Sequence, residues 1–443
     1  MSRANVLTAA QTGARPGQKE DRPVPASGNG SVPGPGAASI EQRSATEHPA
    51  FSIACALSKV VAGCSLLLAI PLVLLARVVR PLVLIRFGLL PSQRIGPFAA
   101  NVEVYLCERD AGLCGRRAID LFYCAQPICN RQLQKMWSRV MPVMRFARAL
   151  ERTNRWFPGA IRHQIPMRKD GDRDLHGLVA NTRPHLTFTP EELAQGWASL
   201  RALGIDPGVP LVCFQARDAA YLEAIYPERS WSYHDYRNVD IRNMIPAVEA
   251  LTRRGYVAVR MGAIVKDPLP VTHPRIIDYS LKGRSEFLDL FLSAHCRFFL
   301  GDPSGIMALP MVFRRPWVMV NEIPLAYLHS WGPHDLTIPK KLWLRKERRF
   351  MTFREILESG VGRLFQRTEQ YERAGIDVID NTPEEIAAVA VEMDERLTGA
   401  WRTTDEDDVL QHRFWGLLKS NALHGVIRSR IGSEFLRQHH DWL

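Results

Sequence analysis

Apolar and polar positions along most of the chain follow the pattern of proteins in which strands and helices alternate. The runs Pro210–Ala216 (PLVCFQA), Tyr256–Met261 (YVAVRM) and Arg297–Leu300 (RFFL) are mostly apolar, as expected of parallel strands that are covered on both faces. Between the last two, Ser285–His295 carries apolar residues at helical spacing. This alternation predicts an α/β protein with a doubly wound parallel sheet.

Helix starts and shorter strands extend this pattern. Thr189-Pro-Glu-Glu192 and Thr382-Pro-Glu-Glu385 are capping boxes with proline at the first helical position, and they predict helices that end near Gly204 and Leu397. Ala118–Cys124 is β-branched and aromatic, which predicts a strand. We also expect helices over Arg131–Arg155, Ile241–Arg253 and Ile306–Phe313, and strands over Arg275–Tyr279, Trp317–Val320 and Asp377–Ile379.

An apolar segment precedes this region. Val60–Ala76 has seventeen residues without a charge, interrupted by Pro71, and a second apolar patch follows at Pro81–Ile85. Seventeen helical residues only just cover a hydrocarbon core of about 30 Å. We favour a monotopic anchor or bent hairpin, while a single spanning helix and a buried core helix stay open. The basic flanks predict a location at the cytoplasmic face of the inner membrane, monotopic or single-pass.

Composition and charge limit the classes of partner that we expect. The 443 residues carry 57 Lys and Arg against 46 Asp and Glu, which gives a net charge of +11. Residues 48–102 and 131–155 account for this excess, so the remainder is balanced and no nucleic-acid partner is expected. Residues 1–50 are rich in Pro and Gly, which predicts a disordered tail. The eight cysteines form no Cys-x-x-Cys pair, which predicts reduced thiols in a cytoplasmic protein.

Residues that can bind phosphate follow the predicted strands at their carboxyl ends, where open α/β sheets bind ligands. The turn of residues 299–305 (FLGDPSG) offers glycines for close backbone approach, a hydroxyl and a helix start that suits a phosphate. Two arginines follow the preceding strands, and guanidinium groups bind diphosphates with paired hydrogen bonds. We predict a site for the diphosphate of a sugar nucleotide, although the turn alone also fits an ordinary helix cap. Its residues are Arg217, Arg260, Asp302, Ser304 and Gly305.

A polar and aromatic loop, residues 232–241 (SYHDYRNVDI), precedes one predicted helix. Such residues are costly to order unless they contact a ligand, the alternative being a helix cap with a solvated turn. The candidate substrate residues are Tyr233, His234, Tyr236, Arg237, Asn238 and Asp240. Asp170-Gly-Asp172 does not fit a calcium loop, so no bound metal is expected. The basic run of residues 340–349 fits a phosphorylated ligand or a solvated loop.

Six stretches also stand out in combination. They are Leu84–Leu90 (LIRFGLL), Arg94–Gly112 (RIGPFAANVEVYLCERDAG), Cys213–Leu222 (CFQARDAAYL), Tyr233–Ile241 (YHDYRNVDI), Ile276–Gly305 and Thr352–Leu357 (TFREIL). Together they resemble a little-characterised bacterial family of glycosyltransferases related to the two-Rossmann GT-B type, over residues 75–400. One departure concerns the loop after Arg-Ile-Gly, where the family carries His and this chain has Pro97.

The resemblance implies a GT-B-like α/β fold, with two Rossmann-type domains that face a cleft. It also implies metal-independent transfer of a sugar from a nucleotide-sugar donor to a surface-polysaccharide or lipid-linked acceptor, with the nucleotide-sugar as co-substrate and no other cofactor. The expected segments are a disordered tail (1–50), a membrane-associated apolar helix segment (51–92), an acceptor-side domain (93–205), a donor-binding domain (206–400) and a helical extension (401–443).

An inverting glycosyltransferase also needs a base, usually from the acceptor side of the cleft. The candidate bases here are Glu103, Asp110 and Asp235. The alternative function is a catalytically inactive, membrane-tethered module that binds a sugar nucleotide or a glycan, and a basic scaffold on anionic lipid is a third. The expected partners are therefore a nucleotide-sugar donor, a glycan or lipid-linked acceptor and an anionic membrane surface.

Overall fold

The computed structural model describes residues 67–115, 118–168, 171–363, 367–418 and 423–443. The predicted tail of residues 1–50, and residues 51–66 of the predicted apolar segment, lie outside the described residues. The strands are Leu84–Leu90 (β1), Ala118–Cys124 (β2), Leu211–Phe214 (β3), Val257–Arg260 (β4), Ile276–Ile277 (β5), Phe298–Gly301 (β6), Trp317–Glu322 (β7), Leu336–Pro339 (β8), Lys341–Leu344 (β9), Arg349–Phe350 (β10), Ile376–Ile379 (β11) and Arg430–Ile431 (β12).

The α-helices are interspersed among these strands. They are residues 67–78 (α1), Val102–Asp110 (α2), Arg131–Val140 (α3), Ala147–Asn154 (α4), Pro190–Ala202 (α5), Ala220–Ile225 (α6), Ile245–Arg253 (α7), Glu286–His295 (α8), Ala308–Val312 (α9), Phe353–Glu358 (α10), Thr368–Arg373 (α11), Pro383–Thr398 (α12), Asp405–Leu418 (α13) and Ser433–Gln438 (α14).

A seven-stranded parallel sheet has the strand order β12-β8-β7-β6-β3-β4-β5. From β3 the chain first adds β4 and β5 on one side, then returns to place β6, β7 and β8 on the other. This is the order of a doubly wound fold, whose direction of winding reverses between β3 and β6. The predicted α/β class with a large parallel sheet is confirmed.

Apolar residues cover both faces of this sheet. Phe298 and Phe299 are fully buried but belong to different hydrophobic clusters, because successive strand side chains point to opposite faces. Phe291 of α8 packs on the Phe299 side, and Val248 of α7 packs on the Phe298 side. Trp137 of α3 lies in the same cluster as Phe291, so residues from the predicted acceptor-side domain share a core with the sheet. The predicted domain boundaries stay a prediction.

Two smaller sheets complete the fold. Strands β1 and β2 pair in parallel, and β10, β9 and β11 form an antiparallel sheet. Arg86 of β1 lies opposite Asp120 of β2 in the register, and the two side chains form a buried ion pair at 2.6 Å. Such a pair places a charge inside an otherwise apolar strand.

The predicted membrane location is wrong. Among the residues that the structure describes, no helix combines the length and the apolar character needed to cross a bilayer. Helix α1 turns Ala69, Val73 and Ala76 into a core with Phe87 of β1, so one face of this part of the predicted anchor packs against protein, while leucines on the other face are exposed. The second apolar patch leads directly into β1. An apolar run suits a buried strand as well as a membrane segment, so the pattern alone does not distinguish the two.

Local helix signals mostly predict the correct elements. Both predicted capping boxes are present, at Thr189 before α5 and at Thr382 before α12. The single helix expected over residues 131–155 is instead two helices, α3 and α4. Met141 is extended at the end of α3, as is usual for a residue that precedes proline, and Pro142 cannot donate to a helical hydrogen bond.

Candidate anion-binding site

The loops after β3 and β6 meet at the point where the winding of the sheet reverses. Asp302, fully buried after β6, accepts hydrogen bonds from Gln215 Nε2 at 2.6 Å and from the backbone N–H of Arg217 at 2.9 Å. The Asp302 carboxylate therefore ties the two loops together and aims Arg217. The sequence pattern places Asp302 among the diphosphate ligands, but its negative charge and its two donors give it a positioning role.

The loop of residues 232–241 closes over these strand ends. Arg217 donates to the side-chain oxygen of Asn238, and Arg237 donates to the carbonyl of Pro303 at 2.7 Å. Lys340, which follows β8, donates to the carbonyl of Asn238 at 3.2 Å. Two arginines, a lysine and the turn after β6 are thus gathered at one edge of the sheet.

The positive charge at this edge comes from arginines, since Lys340 is paired with Asp380 at 2.6 Å. Burial lowers the pKa of His234 to about 4, helped by the positive charges of Arg237, Arg217 and Arg94. Burial and the neighbouring Arg237 likewise lower the pKa of Arg217 to about 10. Arginines that disfavour one another's charge are stabilised by an anion placed between them.

Two polar atoms at this edge are buried without a hydrogen-bond partner among the described residues: Ser304 Oγ and His234 Nδ1. Ser304 precedes the 3-10 turn Gly305–Met307 but its hydroxyl does not cap that turn. Buried polar groups are almost always paired in native proteins, so an unpaired group needs an explanation. A hydroxyl and a neutral imidazole can both donate, and an anionic ligand with several oxygens would accept both hydrogen bonds.

The helix start expected after Ser304 is short. A 3-10 turn, Gly305–Met307, leads into the brief helix α9, so the positive charge at this edge comes mainly from side chains. Gly305 also touches the amino-terminal part of the chain. A Cβ atom on Gly305 would lie 3.1 Å from Ile95 Cγ2 and 3.2 Å from Gly96 N, so a larger residue here would crowd this contact. Pro97, the departure from the family pattern, follows this contact directly.

Arg260 does not join the cluster. Its guanidinium is buried, and it binds the carboxylate of Asp278 at 3.2 Å and the carbonyl of Asp267 at 2.7 Å. The expectation that Arg260 shares one anion with Arg217 is therefore not met. The arginine that accompanies Arg217 is Arg237, from the loop rather than from a strand end.

The other loop candidates have local roles. Tyr236 is buried and its ring lies 5.4 Å from that of Tyr371, so it belongs to the core. Asp240 caps the following turn by accepting from Arg242 N at 2.9 Å. Tyr233 packs 4.1 Å from the His234 ring and covers it from one side.

The candidate bases are separated by the fold. Glu103 is fully buried and bonds Arg314 at 2.5 Å, and Asp110 bonds His185 at 3.0 Å. Arg314 lies between α9 and the start of β7, so this group sits at the amino edge of the sheet, opposite the anion site. Asp235 accepts a hydrogen bond from Asn238 within the loop cluster, at 2.9 Å.

The sequence pattern does not single out Gln215 and includes Lys340 only within a basic run. Both residues stand directly after strands, and Gln215 is buried. The signal for Gln215 is its place between an apolar strand and Arg217. Lys340 is harder to find, because the pattern does not predict β8.

No family model matches the chain, and no curated protein matches it. Two of the solved structures that show some likeness are glycosyltransferases. The glycosyl transferase family 9 structure from Veillonella parvula DSM 2008 is 11% identical with a TM-score of 0.39, over 71% of this chain and 97% of that chain. The E. coli ADP-heptose lps heptosyltransferase II is 13% identical with a TM-score of 0.31, over 53% and 84%. At such low scores and identities, neither likeness carries an argument about fold or activity.

Proposed function

We propose that this protein is a glycosyltransferase that takes a sugar from a nucleotide-sugar donor and passes it to a glycan or lipid-linked acceptor. The observation that carries the proposal is the pair of unpartnered buried atoms, Ser304 Oγ and His234 Nδ1, beside Arg217 and Arg237 at the carboxyl edge of β3 and β6. A diphosphate supplies enough acceptor oxygens for these donors, and open α/β sheets bind nucleotides at this edge.

The same groups serve the chemistry of sugar transfer. Negative charge develops on the diphosphate as the bond to the sugar breaks, and preorganised cations stabilise that charge. Arg217 and Arg237 are held by Asn238 and Pro303, so they need little reorganisation during the reaction. Because side chains supply the positive charge, transfer should require no added Mg²⁺ or Mn²⁺. The step of sugar transfer itself is supported by the family resemblance of the sequence.

The proposal also assigns the general base. Glu103 and Asp110 are engaged with Arg314 and His185 at the opposite edge, while Asp235 lies in the loop cluster. We assign Asp235 as the base if transfer is inverting. The engagement of the other two carboxylates also favours a second candidate function, a module that binds a sugar nucleotide or glycan without turnover.

A thermal-shift screen of the full chain against UDP-, GDP-, ADP- and dTDP-sugars tests the proposal. At least one donor should raise the melting temperature of the wild type, and Arg217→Ala should abolish that shift. Arg242→Ala is the matched control, because Arg242 is exposed and pairs with Asp240 outside the cluster. If no donor stabilises the wild type, or if both variants respond alike, the anion site is wrong.

Turnover then separates the two functions. Release of nucleoside diphosphate from the stabilising donor, without added divalent metal, supports the transferase. Binding without any release over long incubation, with glycan acceptors supplied, supports the inactive module.

A further inference from the structure

Glu103, Cys107 and His185 meet at the amino edge of the seven-stranded sheet. Glu103 and Cys107 are one helical turn apart on α2, so they share a face of that helix. His185 lies beyond the 3-10 turn Val179–Asn181, and its ring packs against the same face of α2. This cluster is distinct from the anion site, which lies at the carboxyl edge.

Three potential ligand atoms converge there. The Glu103 carboxylate, the Cys107 sulfur and a His185 ring nitrogen lie within 4.8 Å of one another. Zinc bonds of about 2.0–2.3 Å put tetrahedral ligand atoms about 3.5 Å apart. Small side-chain rotations would therefore bring all three atoms onto one ion.

An independent observation points to a missing ligand. Glu103 is fully buried, and its Oε2 has no hydrogen-bond partner among the described residues. Its other oxygen, Oε1, accepts from Arg314 at 2.5 Å and from the backbone N–H of His185 at 3.4 Å, and it lies 3.0 Å from His185 Nδ1. A buried carboxylate oxygen without a partner carries a large desolvation cost, which a metal ion bound to Oε2 would offset.

The neighbouring groups match the outer shell of a metal site. A histidine that binds a metal usually donates its other ring N–H to a carboxylate. His185 Nδ1 lies 3.0 Å from the Glu103 carboxylate, and its Nε2 lies 3.0 Å from Asp110 Oδ2. Ligand carboxylates are in turn hydrogen-bonded, as Glu103 is by Arg314, which also donates to Cys107 Sγ at 3.7 Å. Asp110 would thus orient His185, and Arg314 would orient Glu103 and Cys107.

The charges suit a divalent cation. Cysteine binds metals as the thiolate and histidine as the neutral ring. The Glu103, Asp110 and Cys107 groups then carry three negative charges against one positive charge on Arg314, a net charge of −2. Sulfur and imidazole ligands favour zinc over magnesium or calcium.

We propose that Glu103 Oε2, Cys107 Sγ and His185 Nδ1 bind one Zn²⁺ ion, with Asp110 and Arg314 as the groups that position the ligands. The ion joins α2 to the segment that carries His185. Three protein ligands leave a fourth position for water. The proposal does not depend on the proposed sugar transfer.

Cobalt(II) is the probe for the test, because it takes zinc sites and reports a bound thiolate by a charge-transfer band in the near ultraviolet. Titration of the metal-stripped wild-type chain should give this band with one equivalent of cobalt, and one equivalent of zinc should abolish it. Cys107→Ser should lose the band. Cys114→Ser is the matched control, since Cys114 is a half-buried free thiol outside the cluster, and it should keep the band.

A second variant guards against misfolding of Cys107→Ser. Asp110→Asn changes a half-exposed carboxylate and should keep the band while weakening zinc affinity about 10-fold or more, measured by competition with a chromogenic chelator. A wild type that binds cobalt without a thiolate band, or a band that survives in folded Cys107→Ser, overturns the proposal. So does unchanged zinc affinity in Asp110→Asn.

Discussion

Ser304 and Asp302 stand two positions apart in one turn, and their surroundings give them different roles. Asp302 has two donors and holds the loops in place, whereas Ser304 Oγ has no partner among the described residues. The sequence shows only two polar residues after a strand, so it predicts a ligand site there without separating these roles. The same limit explains Arg260, whose partner Asp278 lies in a different strand-loop unit and could not be paired with it from local pattern.

Ser304→Ala should weaken binding of the donor about 5- to 10-fold, which corresponds to the loss of one hydrogen bond of about 1 kcal/mol. The melting temperature of the free protein should not fall, because the hydroxyl that is removed bonds no described residue. Affinity by calorimetry and melting by fluorescence measure the two effects. Ser232→Ala, an exposed serine of the neighbouring loop, is the control. A lower melting temperature with unchanged affinity would contradict the assignment.

Elements with strong apolar runs can be predicted, and those that depend on distant partners cannot. Strands β3, β4, β6 and β7 lie within a few residues of their predicted ends. Strand β1 lies within the predicted membrane segment because apolar runs lead up to it, and Asp120, which neutralises its buried Arg86, lies on another strand. Strand β8 is not predicted, because Pro339 and a basic run follow its few apolar residues. The local sequence pattern indicates that a residue is buried, but not which element of the fold packs over it.

At the scale of elements, the contact of Gly96 with the turn after β6 is the clearest target. A Cβ atom on Gly96 would lie 3.1 Å from Gly305 Cα, and a backbone atom cannot yield as a flexible side chain can. Gly96→Ala should therefore cost about 1–3 kcal/mol of unfolding free energy and weaken donor binding, because the turn that carries Ser304 must shift.

Urea unfolding and thermal shift with donor measure these effects. Gly112→Ala offers a comparison of a different kind: an added Cβ meets nothing within 4 Å, but the backbone φ of +78 is strained for alanine. Gly112→Ala should lower stability and leave donor affinity unchanged. If Gly96→Ala binds the donor as the wild type does, the contact does not support the site.

At the scale of the whole molecule, the strand order decides where the site lies. The alternation of strands and helices predicts a doubly wound sheet, but not which strands are neighbours. Only the observed order shows that β3 and β6 are adjacent and that their loops meet. Strand order is set by pairing between distant segments, and it cannot be inferred from the hydrophobic periodicity of each segment.

The stability of the whole chain should depend on pH through Asp335. Burial raises the pKa of Asp335 to about 7, although its carboxylate accepts from the backbone N–H of Trp317. Because the folded protein holds this proton more tightly than the unfolded chain does, the free energy of unfolding is highest below the unfolded pKa of about 4. It falls as pH rises from about 4 towards 7. The difference between the folded and unfolded pKa corresponds to about 4 kcal/mol at most. Asp335→Asn keeps an acceptor for Trp317 without the charge. Its free energy of unfolding should therefore rise relative to that of the wild type across this pH range.

Urea unfolding of both proteins between about pH 4.5 and pH 8, in steps of about half a pH unit, measures the difference. The difference in unfolding free energy between Asp335→Asn and the wild type should grow up to about pH 7 and then level off. Asp408→Asn, which changes an exposed carboxylate paired with Arg430, should show no such growth. A flat difference for Asp335→Asn would show that its carboxyl titrates normally.

The hydrogen bond from Arg217 N to Asp302 joins residues 85 positions apart. The cradle for the anion therefore exists only after β6 has docked beside β3, a late event because distant contacts form slowly. Bound ligand can stabilise the finished sheet but none of the states that precede its closure. The ligand should accordingly slow the rate of unfolding and leave the rate of folding unchanged, so that its occupancy sets the lifetime of the native protein.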